Sequence, residues 1–107
     1  MSLEPTRAEI DALRGVTVLE FGAGWCGICQ AAQPMITEVL AARPDVTHLK
    51  IEDGRGKRLG RTFGVKLWPT LVVMRDGQEV ARVVRPTAKA QIRAALDQFS
   101  TETSARR

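Results

Sequence analysis

The sequence predicts one α/β domain over residues 1–107, a four-stranded mixed sheet with helices on both faces. Apolar runs alternate with helix-periodic stretches from Val16 to Thr70, and such strand–helix–strand crossovers generate parallel pairing. Two further strands meet directly across Asp76-Gly77, a hairpin signal that requires antiparallel pairing. The chain has 107 residues, 44% hydrophobic and 26% charged, with a formal net charge of +4. That balance fits one globular domain and excludes disordered, collagen-like and coiled-coil chains.

Pro5 stands just inside a short first helix in which Ile10 and Leu13 share a face, and Gly15 stops it. Val16-Thr17-Val18-Leu19-Glu20-Phe21 reads as a buried strand closed by Gly22 and Gly24, interrupted only by Glu20. From Cys26 to Arg43, the residues Ala32, Met35, Ile36, Val39 and Leu40 recur at amphipathic helical spacing. Pro34 lies within that helix and cannot donate to the carbonyl four residues back, so a kink is expected there. Pro44-Asp45 ends it, and Val46 to Ile51 forms the second strand. Leu59 and Phe63 support a short helix stopped by Gly64. Thr70 to Met74 and Val80 to Val84 flank the hairpin turn. Thr87 is the expected N-cap of a last helix whose stripe is Ala88, Ile92, Ala95, Leu96 and Phe99, and residues 100–107 are expected to fray.

The positive charge is spread along the chain rather than gathered in a basic run, and three Phe, two Trp and no Tyr give few surfaces on which bases could stack. No nucleic-acid partner is expected; acidic protein partners are. No apolar run approaches the ~18 residues of a membrane span, and the first residues carry no signal-like pattern. The expectation is a soluble, cytoplasmic monomer that uses no membrane.

The chemistry lies in Trp25-Cys26-Gly27-Ile28-Cys29, where a strand passes into a helix. Half of a zinc site can look like this, but four ligands are needed, and the chain offers one histidine, His48, and no third cysteine. At a helix start, unpaired backbone N–H groups and the aligned peptide dipoles favour an anion. Cys26 would be that anion, a thiolate able to attack a disulfide, and Cys29, one turn on, could attack the resulting mixed disulfide and release the partner.

Around this pair stand Val18-Leu19-Glu20-Phe21, Pro34, Phe63-Gly64-Val65, Trp68-Pro69-Thr70 and Asp76-Gly77. With these motifs the sequence resembles the thioredoxin family over nearly its whole length. The resemblance implies a thioredoxin fold, Cys26 and Cys29 as attacking and resolving thiols, Trp25 covering the site and Pro69 in the cis form. It also implies a substrate groove formed by Trp25, Gly27, Ile28, Trp68, Pro69, Thr70 and Arg85, in which an extended segment adds as a strand. No organic cofactor and no metal are implied; the redox group is the Cys26–Cys29 pair. The partners implied are protein disulfides and a reductase that donates electrons.

Several positions depart from the family pattern. Glu20 replaces a buried aspartate associated with proton transfer at the resolving cysteine; in an apolar strand its pKa is expected to be raised. A lysine commonly faces that acid, and two registers compete here, one placing His48 in the slot and the other Lys50. Ile28 replaces a proline, Arg85 a glycine, Trp68 a smaller aliphatic residue, and Leu67 is also bulky. The usual first strand has no clear counterpart beyond a vestige near Leu3. The leading reading is a protein thiol–disulfide oxidoreductase acting as a reductant. Two others stand beside it: a partner-binding or chaperone-like module with incidental redox activity, and a dimer bridged by metal-bound thiolates.

Overall fold

The strand Val16–Gly22 (β1) sends alternate side chains into two different apolar layers, and this period of two organises the molecule. The computed structural model describes residues 4–105, with side chains through Asp97. The elements in order are α1 (Arg7–Asp11), β1, α2 (Gly27–Ala41), β2 (Val46–Glu52), α3 (Leu59–Thr62), β3 (Thr70–Arg75), β4 (Gln78–Val84) and α4 (Lys89–Ala105). The sheet order is β2-β1-β3-β4. β1 pairs parallel with β2 and antiparallel with β3, and β3 pairs antiparallel with β4. The expected order and mixed sheet are therefore present.

Val18 joins Leu71 and Val73 against Ala32, Ile36, Val39 and Leu40 of α2 and Ile92, Ala95 and Leu96 of α4. On the other face Leu19, Phe21, Ile51, Val72 and Met74 pack with Ile10 of α1, Leu59 of α3 and Phe63. Ile36, Val18, Leu19 and Phe21 are fully buried, and truncating one such residue to alanine typically costs about 2–5 kcal/mol. Because Glu20 lies two residues beyond Val18 in a strand, it faces the α2 layer, where no other carboxylate is buried among the described residues. α2 runs unbroken through Pro34.

The hairpin is tightly specified. Asp76 (φ +50°) and Gly77 (φ +84°) both occupy the left-handed region that two-residue hairpin turns demand. A Cβ on Gly77 would lie 2.0 Å from the Asp11 carbonyl oxygen, so the turn packs directly on the end of α1. Asp76 Oδ1 accepts the Gly15 N–H at 2.8 Å.

Several expected boundaries shift for local reasons. Pro5 precedes α1 rather than lying inside it: Thr6 is the N-cap and forms a reciprocal capping box with Glu9. Thr87 does not cap α4 with its own side chain; instead Gln91 Oε1 accepts the backbone N–H groups of Thr87 and Ala88. β4 begins at Gln78 because the ladder resumes immediately after the turn, with a bulge opposite Val73/Met74. The vestigial strand near Leu3 and the Phe99 side chain lie outside the described residues and side chains; of the tail expected to fray, positions 100–105 continue the α4 helix.

Candidate active site

β1 ends at Gly22, and the Cys26 N–H closes a turn by donating to the Ala23 carbonyl at 3.1 Å. Cys26 is thereby left extended (φ −82°, ψ 114°) as the N-cap of α2, and its Sγ accepts the Cys29 N–H at 3.2 Å. A sulfur thus replaces the hydroxyl or carboxylate oxygen usual at this position. Both cysteines are free thiols and buried.

The two thiols are neighbours and differ in proton affinity. The hydrogen bond from Cys29, backed by the Cys29 and Ile28 backbone N–H groups and the Arg85 charge, outweighs burial and holds the Cys26 thiol below its ordinary value. Burial, the same hydrogen bond seen from its donor, and the negative charge of Cys26 and Glu20 push Cys29 up. Cys26 is the group that ionises first, as its position at the helix start predicts.

Gly22 was not singled out in the sequence. A Cβ there would lie 2.9 Å from Cys29 Sγ, so only glycine lets the end of β1 approach the resolving sulfur this closely. The only sequence signal for it was the glycine pair closing the strand.

Trp25 is 76% exposed and meets Trp68 edge-on, ring centroids 5.3 Å apart at 76°. Trp68 is fixed from behind, its indole N–H donating to Asp53 Oδ2 at 2.8 Å. The Trp68–Pro69 peptide is cis, as the resemblance implied. Thr70 is buried, with its hydroxyl donating to the Leu67 carbonyl at 2.6 Å. Arg85 adopts φ +49°, a conformation that costs a non-glycine residue about 1–3 kcal/mol. Its backbone N–H donates to the Pro69 carbonyl and its Nε to the Trp68 carbonyl, both at 2.8 Å. Trp25, Cys26, Gly27, Ile28, Trp68 and Arg85, together with Lys66 and Leu67, line an open cavity of about 420 Å³. The structure therefore brings together every expected groove residue except Pro69 and Thr70, which lie buried beneath it.

Glu20 is 4% exposed, and His48 Nε2 lies 2.6 Å from its Oε1, while Gln33 Nε2 of α2 donates to its Oε2. The strand register pairs Glu20 with Lys50, yet Lys50 reaches the carboxylate only through Gln33, donating to Gln33 Oε1 at 2.9 Å. His48 is thus the direct partner of the acid. The expected rise in the Glu20 pKa is corrected by this arrangement. Burial alone would raise it, but the hydrogen bonds from His48 and Gln33 and the nearby charges of His48 and Lys50 prevail and lower it. Glu20, Cys29, Gln33 and Lys50 line a second cavity of about 410 Å³ on the far side of the thiols.

A reactive thiol at a helix N-terminus, its resolving partner one turn on, and a cis-proline loop beside them define a thiol–disulfide oxidoreductase site. The thioredoxin family model matches residues 5–98, and the chain belongs to the thioredoxin family. It is similar to the structure of thioredoxin 2 from Pseudomonas aeruginosa PAO1 in its reduced form, at 56% identity and a TM-score of 0.82 over 94% of each chain. It is 39% identical over 70 residues to a thioredoxin of Chlamydia muridarum, 65% of this chain and 69% of that one. A chain in a structure of the thiol resolving mechanism in yeast mitochondrial 1-Cys peroxiredoxin via glutathione/thioredoxin systems matches at 27% identity and a TM-score of 0.73, over 85% of each. Against curated relatives the chain spans from 50% to 69% of their length.

Among the described residues, no group of three or more His, Cys, Asp or Glu could hold a metal ion. No described helix is long and apolar enough to cross a membrane.

Proposed function

We propose that this chain is a cytoplasmic protein-disulfide reductase that cycles Cys26 and Cys29 between dithiol and disulfide and is recharged by a reductase. The observation that carries the reading is the placing of Cys26 Sγ at the start of α2, where it accepts the Cys29 N–H at 3.2 Å, with the Cys26 thiol lowered and the Cys29 thiol raised.

The Cys26 thiolate attacks one sulfur of a target disulfide. The target S–S bond breaks, a Cys26–target disulfide forms, and the departing target thiolate takes a proton from water. Cys29 then loses its proton and attacks Cys26 Sγ, forming the Cys26–Cys29 disulfide and releasing the second target sulfur as a thiolate, which takes up a proton from water. Two electrons pass from protein to target. The raised Cys29 pKa keeps that thiol protonated until attack, and Glu20, ionised at neutral pH and lining the same cavity, is the base that receives the proton. Trp25, Gly27 and Ile28 on one side and the Trp68 backbone on the other hold the target strand.

Dithiothreitol-driven reduction of insulin tests the reading. Wild-type protein is expected to accelerate it and Cys26→Ser to abolish that acceleration; activity that survives Cys26→Ser contradicts the assignment. Equilibration with glutathione buffers is expected to give a strongly negative potential, which distinguishes a reductant from a disulfide donor.

A further inference from the structure

Arg85 occupies a left-handed backbone position that glycine would adopt without strain. Its side chain does two things there. Nε donates to the Trp68 carbonyl, and the guanidinium stands on the rim of the cavity that opens onto Cys26. Nη1 and Nη2 hydrogen-bond to nothing among the described residues, and Arg85 makes no ion pair among them. Lys66 lines the same cavity, and no carboxylate does. The groove therefore presents two cations, one of them a planar fork suited to bidentate carboxylate recognition.

We propose that Arg85 is a specificity-determining residue that selects target disulfides whose reacting cysteine is flanked by acidic side chains. This rests on the oxidoreductase reading of the same site. An extended target segment laid against the Trp68 backbone can use the second lone pair of the Trp68 carbonyl, since Arg85 Nε occupies only one. Its cysteine must reach Cys26 Sγ, so the residues on either side of that cysteine pass the Arg85 guanidinium. A carboxylate there meets an unpaired fork; a lysine there meets like charge. Trp25, Ile28 and Leu67, all exposed, supply apolar contact around the charged contact.

The test uses the full chain, reduced in advance and freed of reductant, in single turnovers with two disulfide-bonded peptides. The peptides are identical except for Glu or Lys at both positions flanking the reacting cysteine. Wild-type protein is expected to reduce the Glu peptide about threefold to tenfold faster than the Lys peptide, with the ratio shrinking as salt is added. In Arg85→Gly, which relieves the backbone strain and so preserves the fold, the ratio is expected to fall below about twofold. Arg85→Lys, which keeps charge but loses the fork, is expected to fall between. Equal rates for the two peptides in wild type, or an unchanged ratio in Arg85→Gly, overturns the specificity role while leaving the oxidoreductase reading intact. Failure to reduce either peptide overturns both.

Discussion

His48 Nε2 lies 2.6 Å from Glu20 Oε1, so a buried carboxylate on β1 is held by an imidazole on the neighbouring strand. A ring nitrogen facing an ionised carboxylate carries the proton and donates it. His48→Ala would leave Oε1 of a 4%-exposed carboxylate without its donor. We expect a loss of about 1–3 kcal/mol in urea denaturation. Lys50→Ala should stay within about 0.5 kcal/mol, because Lys50 is exposed and touches the acid only through Gln33.

Stability should fall on the acid side because of the same carboxylate. The folded-state pKa of Glu20 lies below its ordinary value of 4.5. Its contribution is therefore fully present above that value and is lost as pH falls through the folded-state pKa. Glu20→Gln removes this titration. Denaturation midpoints measured from pH 6 down to pH 3 should show a shallower acid decline in the variant than in wild type, provided about one group's worth of proton uptake is lost.

Gly22→Ala should impair resolution of the mixed disulfide more than initial attack. The added methyl would sit 2.9 Å from Cys29 Sγ and force that sulfur to move, while Cys26 is not among the atoms it would meet. The expected result is slower release of target after Cys26 has reacted, seen as accumulated mixed disulfide on non-reducing gels. A destabilisation of about 1–3 kcal/mol should accompany it.

The alternation of β1, the amphipathic stripe of α2 and the Asp76-Gly77 turn were legible because each is set by neighbours in sequence. The cysteine pair was legible for the same reason: a strand ending in glycines and a helix beginning at Cys26 define the N-cap. What could not be read was anything settled by side chains meeting across elements. Glu20 looked like a carboxyl stranded in an apolar strand, yet its donors arrive from Gln33 on α2 and His48 on β2. The sequence left His48 and Lys50 both open as partners of the acid; the ladder pairs Glu20 with Lys50, but His48, its diagonal neighbour on the same face, makes the contact. Trp68 was seen as bulk, while its anchor, Asp53, lies fifteen residues away. Gln91 displaced Thr87 as the capping side chain because a longer amide can reach back to two N–H groups at once.

The ionisation of Cys26 is the most direct test. In wild-type protein, the pH dependence of alkylation should be followed residue by residue by mass spectrometry. We predict that Cys26 titrates below the ordinary thiol value of 9.0 and reacts ahead of Cys29 at neutral pH. A Cys26 midpoint at or above that value, or Cys29 reacting first, would contradict the account.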